Sequence, residues 1–237
     1  MIFSPGNISH EQFKKYIGIQ NTPGKWDTFY SEKTHKHINY IKWIPGLKMI
    51  GIGNSISMNC ATKDSDIDLF IVTSPNRLWL VRILITLIFQ ILGVRKTAKK
   101  HAGRFCLSFF ATTDGLNFSS FALKDDIYLY FRILYFKPIL DFDNTYQSFL
   151  DKNSSWSDFS EYKNIINNHK PGIKFIKNTG IQESRFLTIV NNLLKRMLIT
   201  KTQKTFKKIG KPYGVIINDN MLKFHNNDIR EKIRDEL

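Results

Sequence analysis

The sequence predicts an α+β fold, with a mixed β-sheet core flanked by helices and a helical region behind it. Three observations carry this prediction. Short runs rich in β-branched and aromatic residues recur at 49–52, 69–72 and 105–111. Between the second and third runs lies 78–94, LWLVRILITLIFQILGV, apolar on nearly every side as a helix buried against a sheet must be. Beyond 184 a helical period takes over, with Phe186, Val190, Leu193, Leu194, Met197 and Leu198 as its stripe. The boundaries expected are an N-terminal helical extension over 1–30, a core over 31–140 and a helical C-terminal domain over 141–237.

In chain order, 9–19 reads as a short helix with Ser9 as N-cap and Gln12 at the capping-box position. Pro23-Gly24 marks a loop. A second helix is expected over 31–44, where Ile38, Ile41 and Ile44 share a face, ending at Pro45-Gly46. His35 and His37 stand two apart and diverge on a helix, so they share no metal. Ser74-Pro75-Asn76 turns the chain into the apolar helix, and a basic, acid-free segment at 95–104 leads to the third strand. The aromatic segment 124–140 reads as one helix with Asp125 and Asp126 in its first turn, where the helix dipole favours them. Short helices are expected at 144–150 and 159–166, and a long one at 184–208. In the tail, Asn218-Asp219-Asn220 between apolar runs allows a hairpin or two short helices.

Composition narrows the setting. A chain of 237 residues with 42% hydrophobic content, 19 of them Phe, buries one sizeable core and is neither disordered nor fibrous. Two cysteines, Cys60 and Cys106, fit no metal spacing and form no disulfide framework, which suggests a reducing compartment; cytoplasm is the expectation. The 78–94 run is shorter than the roughly 20 residues a span requires and contains Arg82, so no transmembrane segment is expected. A net charge of +15 attracts polyanions without choosing among them. The basic residues Lys195, Arg196, Lys201, Lys204, Lys207, Lys208 and Lys211 form a candidate nucleic-acid surface. They read equally well as the solvated end of a helix.

The chemistry concentrates in 47–73, LKMIGIGNSISMNCATKDSDIDLFIVT. Side chains alternate along a strand, so Asp66 and Asp68 share one face while Ile67 and Leu69 point into a core. Two carboxylates held side by side on an apolar strand require a cation, most simply Mg²⁺ or Mn²⁺ with oxygen ligands. Gly53-Asn54-Ser55 after the first strand offers a turn where phosphate oxygens can approach the backbone.

With Ser65-Asp66-Ile67-Asp68-Leu69, in which Asp66 stands eleven residues after Ser55, the stretch resembles the DNA polymerase β-like nucleotidyltransferase superfamily, particularly its small bacterial members. That resemblance implies a nucleotidyltransferase-type sheet, Asp66 and Asp68 as catalytic metal ligands, and Gly53, Asn54 and Ser55 against the phosphates of an NTP, expected to be ATP. It further implies transfer of a nucleoside monophosphate to an acceptor hydroxyl, with release of pyrophosphate. The acceptor is not legible. Two departures stand out. Asn54 precedes Ser55 where the family has its glycine, and the third strand carries no acid; alignment by pattern puts Ser108 where active members place a third carboxylate. The rival expectation is therefore a nucleotide- or RNA-binding protein with a degenerate nucleotidyltransferase fold. Small members of the family often act in toxin–antitoxin pairs, a role for which this sequence offers no sign.

Overall fold

A computed structural model describes residues 10–167, 173–175, 184–206, 214–225 and 228–237. Its frame is a seven-stranded mixed sheet. The central strands are β1 (Leu47–Ile52), β2 (Ile67–Thr73), β3 (Phe105–Thr112) and β4 (Lys137–Phe142). β5 (Ile173–Phe175), β6 (Val215–Ile217) and β7 (Met221–Phe224) extend the edges, giving the order β5-β4-β1-β2-β3-β7-β6. β1 pairs antiparallel with both β2 and β4, whereas β2 and β3 are parallel. The parallel pair needs a crossover, and the long helix that follows β2 supplies it.

The nine helices of the described residues are α1 (His10–Ile17), α2 (Lys25–Ile38), α3 (Asn54–Ser57), α4 (Leu78–Ile91), α5 (Ile127–Leu134), α6 (Thr145–Ser154), α7 (Lys163–Asn167), α8 (Arg185–Phe206) and α9 (Arg230–Glu236). The crossover helix is α4. Both faces of the sheet are covered. Alternation along β2 decides which residues go where: Phe70 and Val72 join an aromatic core with Phe13, Phe131, Phe136 and Phe149, while Ile67, Leu69 and Ile71 join an aliphatic core with Ile38, Val81, Ile85 and Phe89. Asp66 and Asp68 belong to the aromatic-core face by the same alternation.

Several expected boundaries shift for identifiable reasons. α2 begins at Lys25 rather than 31 because the Asp27 carboxylate accepts the Gly24 amide at 2.8 Å and so satisfies a donor at the helix start. It also ends earlier, the chain continuing in turns to Ile44. The single helix expected over 124–140 is α5 followed by β4. Asp126 caps α5 by accepting the Leu129 amide at 3.0 Å, and Pro138 sits in a strand that pairs with β1. The region after 140 is not all helix: β5 adds to one edge and the Asn218-Asp219-Asn220 turn closes a β6–β7 hairpin at the other. Ser9 lies outside the described residues, as do Lys207, Lys208 and Lys211.

Gly51 in β1 is a point where sequence and packing meet closely. A Cβ there would lie 2.0 Å from Phe136 Cζ, and Phe136 is itself buried among Phe70, Tyr146 and Phe149. Its ring cannot yield without displacing the aromatic core. Gly51→Ala is expected to cost about 1–3 kcal/mol by overpacking, read as a lower melting temperature. A melting temperature equal to the parent's would contradict this packing.

Candidate metal and phosphate site

The site is assembled where β1, β2 and β3 meet the aromatic-core helices. β1 ends in Gly53, whose amide donates to the Asp68 carbonyl at 3.1 Å, and Asn54 then turns the chain with φ +55° into α3. Asparagine tolerates this left-handed backbone better than other residues with a Cβ, which accounts for its standing next to Ser55. Its side chain also reaches the acidic strand, where Nδ2 donates to Asp68 Oδ2 at 2.6 Å, while Oδ1 is buried without a partner. Ser57 is buried and donates to the Asn54 carbonyl at 2.8 Å, so it holds the turn. Ser55, half-buried, makes no side-chain hydrogen bond among the described residues and faces a cleft of about 390 Å³ shared with Asn54, Cys60 and Tyr128.

Asp66 precedes β2 and Asp68 lies within it, on the same side as expected. Parallel pairing sets Cys106 of β3 opposite Asp68. Ligand atoms of Asp66, Asp68 and Cys106 all lie within 4.8 Å of one another. Cys106, which fits no metal spacing along the sequence, thus becomes a third candidate donor through strand register. Ser108 sits two residues on along the same strand, and its Oγ accepts from the Cys106 thiol at 3.3 Å. The position opposite Asp68 is therefore Cys106, and Ser108 backs it.

Charge is unevenly compensated here. Burial, reinforced by the charge of Asp66, raises the Asp68 pKa, and the Asn54 amide and the charge of Arg132 offset this only in part. Burial next to Asp68 likewise pushes the Cys106 thiol up to about 12, so it stays protonated at neutral pH without a cation. Asp66 has a different partner. Lys96, from the basic segment after α4, reaches its Oδ2 at 2.5 Å. Burial alone would lower the Lys96 pKa, but the hydrogen bond to Asp66 and the neighbouring negative charges raise it.

Three groups complete the surroundings. Arg132 of α5 brings Nε to 3.9 Å from where a Gly53 Cβ would stand, and it forms no hydrogen bond among the described residues; its guanidinium lies over the Phe109 ring at 5.6 Å. It lines a small cavity with Gly53, Asp68, Ser108 and His225, and a second recess of about 130 Å³ with Asn54, Tyr128, His225 and Asp228. Both ring nitrogens of His225 are buried and unpartnered; burial, with the charges of Arg132 and Lys223, drives its pKa well below the ordinary value and keeps the ring neutral. Behind them runs an ion-pair chain in which Arg230 binds Asp126 at 2.7 Å and Asp228 at 2.9 Å, and Lys223 binds Asp228 at 3.1 Å. This chain fastens α9 and β7 to α5 and so closes the inner side of the recess.

Neither Lys96, Arg132, Tyr128, His225 nor Cys106 is a site residue by sequence reasoning. The available signals were slight: one arginine inside an aromatic helix, and one histidine ending an apolar run. Of the basic residues singled out in the C-terminal half, Lys195 is ion-paired with Asp219 at 2.5 Å, while Arg196, Lys201 and Lys204 are exposed on α8. His35 and His37 each bond a backbone carbonyl four residues back and stand apart from the site. The chain matches no protein-family model, no curated protein and no solved structure.

The two converging carboxylates fit a hard divalent cation, and the Cys106 thiol beside them would be the weakest of the three ligands for it; burial and the charge of Asp66 both disfavour the ionised form of Asp68 in the metal-free protein. The sign of its linkage follows. A carboxyl whose folded pKa lies above the unfolded 3.8 binds protons more readily when folded, so metal-free stability falls as pH rises from that value through the folded pKa. Asp68→Asn removes this loss. The variant should melt above the metal-free parent at pH 7, with the difference shrinking as pH falls towards about 4. A difference of opposite sign, or one independent of pH, would contradict a crowded carboxylate at this position.

Proposed function

We propose that this protein is a metal-dependent nucleotidyltransferase, moving a nucleoside monophosphate from an NTP to an acceptor hydroxyl. The observation carrying the reading is the convergence of Asp66, Asp68 and Cys106 within 4.8 Å, beside the Gly53–Ser55 turn and an arginine with no hydrogen-bonded partner among the described residues. A divalent cation bound there, Mg²⁺ or Mn²⁺, would supply charge neutralisation and polarisation at the α-phosphorus. The protein's own residues orient the rest. Asn54 and Ser55 line the cleft that would receive the phosphates, and Arg132, in the recess that shares Asn54 and Tyr128 with it, would offer a planar, forked donor to phosphate oxygens. Asn54 fixes the Asp68 carboxylate through its amide, so the turn and the metal ligand are set by one side chain. In the reaction the bond from the α-phosphorus to the pyrophosphate oxygen breaks, and one to the acceptor oxygen forms. ATP is the NTP expected from the family resemblance.

One observation favours a second reading, nucleotide binding without transfer. Where the family's active members carry a third carboxylate, this strand has Cys106 and Ser108, neither of them charged in the metal-free protein, and Lys96 already occupies Asp66. Binding and turnover therefore need separate measurement.

Calorimetric titration of each NTP in the presence of Mn²⁺ tests binding. The parent should bind at least one NTP, Asp68→Asn should abolish metal-dependent binding, and Arg132→Gln should weaken it by about 1.5–3 kcal/mol, as for hydrogen bonds to a charged group. No binding in the parent, or equal binding in Asp68→Asn, would overturn both readings. Pyrophosphate release that depends on Asp66 and Asp68 separates transferase from binder.

A further inference from the structure

Helix α8 carries apolar residues on two opposite sides. Inward, Leu194, Leu198 and Ile199 pack against the aliphatic core, and the Asn191 amide oxygen accepts the Trp79 and Leu80 backbone amides of α4 at 3.0 and 3.2 Å. Outward, Phe186, Ile189, Leu193 and Met197 are 69, 58, 54 and 74% exposed. Their spacing of three and four residues makes a single line about 17 Å long at about 1.5 Å per residue. Core packing does not explain this line, because the helix is already anchored from its other side. α4 packs beside α8, with Arg77 bonded to Ser184 and Thr188, and it leaves Leu87 and Ile91 53 and 83% exposed.

Charge says what could cover this line. No acidic residue occurs between Arg77 and Thr113, nor between Arg185 and Asn218. Arg185, Arg196 and Lys201 are exposed along the flanks of the outward line, and the only acid paired with α8 among the described residues, Asp219, meets Lys195 on the inward side. A second copy of this chain would set these cations against their own counterparts. A nucleic acid would satisfy the cations but leave Ile189, Leu193 and Met197 in water. An apolar line with cationic flanks on an acid-free helix matches the interface of a bilayer that contains anionic lipid.

We propose that the outward face of α8 docks this protein onto anionic membrane surfaces. The side chains of Phe186, Leu193 and Met197 enter the boundary between headgroups and acyl chains, and Arg196 and Lys201 lie among the phosphates. The helix lies in the plane of the interface, and no helix among the described residues is long and apolar enough to cross a membrane. The proposal does not depend on the metal site.

Flotation with vesicles tests it on the full chain. The parent should float with phosphatidylcholine vesicles containing phosphatidylglycerol and stay behind with phosphatidylcholine alone. The combined variant Phe186→Gln, Leu193→Gln, Met197→Gln should bind anionic vesicles about tenfold or more weakly. Because all three side chains already face solvent, its melting temperature should match the parent's. Should that variant fold poorly, Arg196→Glu with Lys201→Glu, which leaves every apolar contact intact, should lose flotation to a similar extent. No flotation of the parent overturns the proposal. So does binding that the glutamine variant retains in full, since charge alone would then explain it. Sedimentation showing a dimer that the glutamine variant abolishes, or binding of single-stranded RNA in place of vesicles, reassigns the face and overturns it as well.

Discussion

Two like charges held close together at the mouth of β2 are the constraint around which this molecule is built. A carboxylate brought from water into a half-buried position beside another is unfavourable unless cations or donors answer it. Here the answers come from four places in the chain: the Asn54 amide from the turn after β1, the Lys96 ammonium from the loop after α4, the Cys106 thiol from β3 and the Arg132 guanidinium from α5. Each arrives because the sheet order sets β2 between β1 and β3, with α5 lying on the face to which Asp68 points. The compensation is incomplete, as the raised Asp68 pKa indicates. This residual imbalance is what the proposed cation would offset.

The same geometry explains why the C-terminal residues matter to the site. His225, Asp228 and Arg230 come from β7 and its continuation into α9, far from 47–73 in sequence. Arg230 bridges Asp126 and Asp228 in a buried arrangement that would be costly to leave half-made. By tying α9 to the N-terminal cap of α5, it keeps Arg132 facing Gly53. Burial pushes Asp228 up, yet hydrogen bonds from Arg230 and the charges of Lys223 and Arg230 hold it below the ordinary carboxylate range. Lys223, itself lowered to about 8 by burial, is the yielding member of the chain.

Much of this arrangement is legible in the amino-acid sequence. The alternation Asp66-Ile67-Asp68-Leu69 is local information, and the shared face of the carboxylates follows from strand geometry alone. The three central strands and the buried crossover helix are equally readable, since their hydrophobic runs are bounded by Gly, Pro and Asn turns. What the sequence hides is register. Cys106 becomes Asp68's neighbour only through parallel pairing of β2 with β3, which no spacing along the chain encodes. The strand at Pro138 is hidden by the helical character of the aromatic residues before it, tertiary pairing with β1 overriding local propensity. Lys96 reads as one of several basic residues until the loop after α4 is folded back onto β3, where the Lys96 backbone N–H donates a hydrogen bond to the Phe105 carbonyl at 2.9 Å.

The central claim is that Asp66, Asp68 and Cys106 hold a divalent cation for an NTP. Anomalous diffraction at the manganese edge, from crystals grown with Mn²⁺ and a non-hydrolysable NTP, tests this most directly. A peak is expected within coordinating distance of both carboxylates, with phosphate density against Gly53–Ser55 and Arg132 and with Lys96 withdrawn from Asp66. A peak elsewhere, or an unaltered Lys96–Asp66 ion pair with no peak beside it, would contradict that claim.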